Sequence, residues 1–267
     1  MRIDKLLVEL KVIKSREKAK DLIEKGAIKI NGKIVDKASF DLKIENNIIN
    51  IDKKNKKILI TIQNKLIIEI SLEELHVSRG YYKLIYALNN FDIDLKDLIV
   101  LDVGASTGGF TESLLEKNVK KVIAVDSGRN QLHEKLRNDD RVISIEGKNA
   151  KNLKIDDLLL IPDFFVMDLS FISSTKILPN IINLVKMKEG ILLFKPQFEQ
   201  ELIKFKNNCK NIKNEYEFVI KNEFKRKMIF ESFKKWCSLN KIEILKFIES
   251  PIRGKDGNIE YLVYLKV

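Results

Sequence analysis

Near the start of the chain, Ile3, Leu6, Leu7 and Leu10 recur at the three- and four-residue spacing of one helical face. Ser15 then stands where an N-cap belongs, and SREKAKDLIEKG reads as a second helix that stops at Gly26. In AIKINGKIV, the Asn31-Gly32 pair between two β-prone runs predicts a hairpin. Two short helices and a hairpin make a small module, bounded as residues 1–60. Residues 58–72, ILITIQNKLIIEISL, alternate as strands do, and 61–76 is expected to link this module to the rest.

From Glu73 onward the pattern changes. VSRGYYKLIYALNNF predicts an amphipathic helix, and DLIVLDVG a buried strand ending in glycine. A helix from Phe110, the strand KVIAVD, another helix and RVISIEG follow. Then come DFFVMDLSF, a helix over 176–186, ILLFKPQ, a long helix across 222–240, and the pair EILKFIES and NIEYLVYLKV. Strand–helix alternation predicts the α/β class, a Rossmann-like sheet over 77–267 with helices on both faces. The closing pair reads as a hairpin, so the last strand is expected to run antiparallel. The stretch 200–221 is polar and aperiodic and is expected to be a loop.

Charge changes this picture. The chain of 267 residues carries a net charge of +11. Met1 to Lys57 holds sixteen Lys/Arg against nine Asp/Glu, so the excess is concentrated in the small module. Uniform lysine enrichment would spread it evenly, so the module is expected to meet a polyanion such as RNA. Nothing approaches the ~20 apolar residues of a membrane span, and the first twenty residues lack the apolar core of a signal peptide. Cys209 and Cys237 form no redox or metal motif, and His76 and His133 are the only histidines. No metal, no membrane and a cytoplasmic location are the expectations.

DVGASTGGF, Asp102 to Phe110, contains G-A-S-T-G, the spacing of a hydrolase nucleophile elbow. That chemistry needs an acid and then a histidine after Ser106. His133 is the only later histidine, and no acid–histidine order follows from it. The phosphate-loop pattern needs a lysine where Phe110 stands, and the dinucleotide pattern needs a glycine where Ser106 stands. What remains is a glycine turn with Asp102 before it and Asp126 ending the next strand. A carboxylate there can accept from both hydroxyls of a ribose, and no phosphate cation accompanies it. S-adenosylmethionine fits this better than NAD. Its expected contacts are Asp102, Gly104, Ser106, Gly108, Gly109, Asp126, Asn149 (toward adenine) and Asp168. A tight structural turn is the bland alternative.

Two resemblances sharpen the reading. R-x-D-K-L-L, S-R-E-K-A and G-A-I-K-I-N-G-K are similar to the S4 RNA-binding domain, a small α+β module. That implies RNA contacts at Arg2, Lys5, Arg16, Lys20, Lys29 and Lys33. Lys11 departs from the family, which often has glycine there. VSRGYYKL, LDVGASTGGFT, EGKNA, MDLSFIS, KPQFE and SP…GNIEYL, in this order, resemble the TlyA/hemolysin A family, S4-bearing FtsJ-like RNA ribose 2′-O-methyltransferases. The resemblance implies a Lys-Asp-Lys-Glu tetrad at Lys83, Asp168, Lys195 and Glu260, a monomer, and a cytidine of large-subunit rRNA as target. Lys195 would accept or steer the hydroxyl proton, Lys83 would orient the hydroxyl, and the two acids would hold the lysines. Arg79 is a candidate for an RNA phosphate or the cofactor carboxylate. Phe171 and Phe198 read first as core, with stacking on a flipped base as the alternative. After KPQFE the family usually has a glycine-rich stretch, here EQELIKFKNNCKNIK, and Glu74-Leu75-His76 replaces its usual linker aromatic. A membrane-lysing protein, and an RNA-binding protein with an inactive methyltransferase domain, are the competing readings.

Overall fold

A computed structural model describes all of the chain except residues 14, 25, 36, 43–48, 55–56, 63–65, 72–75, 205–215 and 255. Cys209, Glu74, Leu75 and most of the expected 200–221 loop therefore lie outside the described residues. The chain divides into two units, Met1–Ser78 and Arg79–Val267.

In the first unit, α1 (Ile3–Glu9) and α2 (Arg16–Glu24) form as their apolar spacing requires, and Ser15 Oγ accepts from Lys18 N at 3.2 Å as the cap. Strands β1 (Ile28–Ile30) and β2 (Lys33–Ile34) make the predicted hairpin, with Asn31 and Gly32 both at positive φ. Lys11 also has a left-handed backbone, φ 54°, which accounts for the glycine preference at that turn.

The expected 61–76 linker is corrected. Strands β3 (Ile49–Lys54), β4 (Lys57–Ile62) and β5 (Leu66–Ser71) join the hairpin in one antiparallel sheet, ordered β2-β1-β5-β4-β3. The reason is visible in the alternation. Ile58, Ile60, Ile62, Ile68 and Ile70 are buried with Leu6, Leu7, Leu22 and Ile23 of the two helices. A free linker would expose that row of isoleucines to water, at a cost of ~25 cal/mol per Å².

The second unit is the predicted α/β fold. Helix α3 (Gly80–Phe91) precedes β6 (Ile99–Val103), α4 (Gly109–Glu116), β7 (Lys121–Asp126), α5 (Glu134–Arg137) and β8 (Val142–Glu146). Then come β9 (Phe164–Met167), α6 (Leu178–Leu184), β10 (Glu189–Phe194), α7 (Glu201–Lys204), α8 (Glu223–Leu239), β11 (Glu243–Glu249) and β12 (Tyr261–Lys266). The sheet order is β11-β12-β10-β9-β6-β7-β8, with β12 antiparallel to both neighbours. Order reverses beside β6, and that switch point is where such sheets open a ligand crevice. Strands β9 and β10 are buried throughout, which explains the apolar runs FFVM in β9 and ILLF after Glu189 and Gly190 in β10.

Candidate active site

Strand register decides which chemistry meets at the carboxyl edge of this sheet. Val103 pairs with Met167, so Asp168 lies level with Gly104, and Asp168 N donates to Val103 O at 3.0 Å. Phe194 pairs with Tyr261 across the antiparallel boundary, so Lys195 and Glu260 leave the sheet at one level. Lys83 comes from α3. The buried spacing of Leu84, Ala87, Leu88 and Phe91 fixes that helix's inner face and takes Lys83 inside with it.

The four residues form two ion pairs. Lys83 Nζ donates to Glu260 Oε2 at 2.6 Å, with the two residues only 7% and 3% exposed. Lys195 Nζ lies 2.6 Å from Asp168 Oδ1, but its aligned hydrogen bond runs to Ser170 Oγ at 3.0 Å. Asp168 Oδ1 therefore lacks an aligned donor. The Phe198 ring centroid is 5.9 Å from Lys195 Nζ, a cation–π distance.

Beside Asp168 lies a cleft of about 510 Å³, within the usual size range of small-molecule sites. Gly104, Ser106, Asp126, Asn149 and Asp168 line it, together with Ser127, Gln131, Lys148 and the 169–172 turn. Gly104 must be glycine, because φ is +84° and a Cβ would lie 2.4 Å from Asp168 O. Ser106 also has a left-handed backbone, φ 48°. Its N–H donates to Asp126 Oδ2 at 2.7 Å, and Gly128 N donates to Oδ1. Asp126 thus braces the turn as well as facing the cleft. Asn149 Oδ1 accepts from Lys151 N at 2.9 Å, which leaves its amide N–H groups for a ligand.

Three expected cofactor contacts do not line the cleft. Gly108 instead admits Leu136 of α5 and Leu132 just before it, since a Cβ there would lie 2.3 Å from Leu136 Cδ1 and 2.8 Å from Leu132 Cδ1. Gly109 is buried as the first residue of α4. Asp102 is fully buried beneath the turn, and its Oδ2 accepts from Thr111 Oγ1 at 2.6 Å while Oδ1 has no partner. Burial pushes this carboxyl up to about 7, the charges of Asp168 and Asp126 add to the rise, and the Thr111 bond only partly offsets it.

Two carboxylate oxygens without aligned donors, on Asp102 and Asp168, thus flank a close-approach glycine. In the cleft, Asp126 and Asp168 suit a cationic ligand bearing a ribose, and Asp102 acts on it only through its charge from beneath the turn. Cation binding favours ionised Asp102, so affinity for S-adenosylmethionine is expected to fall as pH drops below 7. The native carboxyl is raised above its unfolded value near 3.8, so apo-protein stability is expected to fall as pH rises from about 4 to about 7. Calorimetric titration from pH 6 to 8 checks the first expectation, and Asp102→Asn should flatten the profile. A flat wild-type profile would exclude this role for Asp102.

Residues not anticipated from sequence also shape the site. Glu199 of KPQFE is buried, and it accepts from Ser173 Oγ and from Ser174 N. It thereby ties the turn after β10 to the turn after β9. Ser170 and Glu199 lay inside motifs already quoted, whereas nothing local marked Gln131. Phe171 is corrected from core: it is 86% exposed, in a left-handed backbone at φ 65°, with its ring 5.3 Å from that of half-buried Phe198. Arg79 is the N-cap residue of α3, one helical turn before Lys83.

In the first unit, Asp4 is completely buried; Arg2 donates to both of its oxygens at 3.0 Å and Arg16 to Oδ2 at 3.0 Å. Burial opposes the charge on Asp4, but the two guanidiniums hold its carboxyl below the usual range. These arginines have a folding role beside any RNA contact. Lys5 pairs with Glu9 at 3.6 Å, Lys20 and Lys33 are exposed, and Lys29 is half-buried on β1.

The FtsJ-like methyltransferase family model matches residues 76–267, and the S4 domain model matches residues 1–49. The chain is 39% identical over 255 residues to the 23S rRNA (cytidine-2′-O)-methyltransferase TlyA of Campylobacter jejuni, covering 94% of this chain and 93% of that protein. It is 36% identical to Hemolysin A of Brachyspira hyodysenteriae over 99% of both. A solved Streptococcus thermophilus structure with a hemolysin designation matches at 31% identity and TM-score 0.66, covering 100% of this chain and 88% of that one.

Proposed function

The chain belongs to the FtsJ-like methyltransferase family, and from that premise we propose that it transfers the methyl group of S-adenosylmethionine to a cytidine ribose 2′-hydroxyl in large-subunit rRNA. The observation that carries the reading is the pair of lysine–carboxylate contacts, Lys83–Glu260 and Lys195–Asp168, beside a cleft with an acidic, glycine-lined floor. The activity for which the Campylobacter relative is named supports cytidine as the base and 23S rRNA as the molecule. The S4 domain and the basic first unit support a structured RNA substrate.

When bound, S-adenosylmethionine supplies a methyl group activated by its sulfonium charge. The protein supplies alignment and electrostatics. Asp126 would accept from the cofactor ribose, Asn149 would meet the adenine edge, and the Gly104 turn would let the backbone approach the methionine portion. A ribose hydroxyl is a weak acid, so its proton must leave as it attacks. Lys195 steers that proton to a solvent water and stabilises the developing alkoxide, while Lys83 orients the hydroxyl. Asp168 and Glu260 hold the two lysines in place. Phe171, exposed at the lip of the cleft, offers a face to the target base.

The protein acts as a monomer in the cytoplasm, where its substrate is made. No helix among the described residues is long and apolar enough to cross a membrane. Mapping ribose methylation across both rRNAs, in cells with and without the gene, tests the reading. One cytidine of the large-subunit rRNA is expected to lose its methyl group when the gene is removed. Identical maps reject the proposal.

A further inference from the structure

A second cleft, of about 480 Å³, has Lys221, Arg226 and Arg253 among its walls, with Glu223 and Asp256 as the acids that line it. We propose that this surface binds single-stranded RNA next to the target nucleotide, with Lys221 and Arg253 on its phosphates and Phe218 stacked on one of its bases. The inference deepens the methyltransferase reading and rests on it for the identity of the RNA.

The backbone here is pinned. Asn258 is 3% exposed, and its Oδ1 accepts from Ile220 N at 3.0 Å while its Nδ2 donates to Phe218 O at 2.8 Å. Gln200 fixes the preceding residue twice, accepting from Glu217 N and donating to Glu217 O. Yet the same segment holds Phe218 74% exposed, with the Tyr216 ring 5.6 Å away. The ring is therefore presented to solvent from a fixed backbone.

The charges agree. Glu217 is paired with Lys225 at 2.8 Å and Glu223 with Lys227 at 2.7 Å. Lys221 and Arg253 have no ion-pair partner among the described residues, and Asp256 is the one other acid lining the cleft. Aromatic faces interleaved with free cations are what a single strand requires, because every base has a π-face and every linkage a phosphate. The position also agrees. Glu260 leaves the same turn, Ser250 N donates to Glu260 O, and a Cβ on Gly254 would lie 2.6 Å from Glu260 Oε1. The cleft therefore adjoins the Lys83–Glu260 pair.

The test compares full-length wild type with Lys221→Gln/Arg253→Gln and, separately, Phe218→Ala, using transcribed large-subunit rRNA as the probe. Binding is measured across a salt series, and methyl transfer on the same RNA. Thermal melts check that each variant folds. The charge variant is expected to flatten the slope of log K against log salt by about 1.4, at roughly 0.7 per single-strand phosphate. Phe218→Ala is expected to weaken binding about tenfold at fixed salt. KM for RNA should rise in both, with affinity for S-adenosylmethionine unchanged. Salt slopes and affinities equal to wild type overturn the proposal, whether or not the RNA is methylated. A wild type that binds the RNA without methylating it overturns the methyltransferase reading instead, and the salt slopes still judge this surface.

Discussion

Lys195→Met is expected to lower kcat for RNA methylation by about a thousandfold while leaving S-adenosylmethionine binding within about threefold of wild type. The split follows from where the side chain lies. Lys195 Nζ contacts Asp168 and Ser170, but Lys195 does not line the cofactor cleft. Its removal therefore takes away charge at the reacting oxygen and spares the ligand's own contacts. Methionine keeps the length of the stem that packs near Phe198, so the β10 turn should keep its shape. Asp168 Oδ1 is itself buried, so the carboxylate left behind is expected to lower stability, and a thermal melt checks that the variant still folds. Single-turnover transfer with both substrates saturating isolates the chemical step, and calorimetry measures cofactor affinity. Asp168→Ala is the contrast: this residue lines the cleft, so both quantities should fall together. A Lys195→Met protein with normal kcat, or one altered in KM alone, would remove Lys195 from the chemistry.

Local pattern was enough wherever the physics is local. Strands β6, β7, β9 and β10 announce themselves because a strand covered on both faces carries an apolar run, broken here only at Asp102 inside β6 and at the ends of β7 and β10. The β1–β2 turn is legible because only residues tolerant of positive φ can occupy it. What failed was non-local. Ile28 pairs with Ile70, some forty residues away, and nothing near either residue marks that partnership. The stretch from 61 onward thus read as strands without a sheet. The same limit explains the glycine loop. Gly104 and Gly108 look alike in sequence, but one makes room for the β9 end and the other for Leu132 and Leu136 around α5. The four charges of the tetrad could be ordered along the chain and set at one sheet edge. Their pairing, Lys83 with Glu260 and Lys195 with Asp168, depends on how α3 packs and on the β10–β12 register.

That pairing makes the two lysines unequal in stability, and the difference can be measured. Lys83 and Glu260 are far more buried than Asp168, so removing either partner leaves an unpaired charge in low dielectric. Glu260→Met or Lys83→Met alone is expected to cost about 3–5 kcal/mol in unfolding free energy. Replacing both partners removes the stranded charge along with the pair. Attraction between buried ions barely repays their desolvation, so the Lys83→Met/Glu260→Met protein should recover most of the loss. Urea unfolding of the four proteins, at a pH where both groups are charged in wild type, gives the coupling directly. Activity should not recover. If Lys83 orients the ribose hydroxyl, the double variant folds yet transfers methyl groups no better than the single ones. A stable double variant with near-normal kcat would show the pair to be a structural staple between α3 and the start of β12, and would leave catalysis to Asp168 and Lys195. A double variant as unstable as either single one would mean that packing around the two stems, rather than the stranded charge, sets the cost.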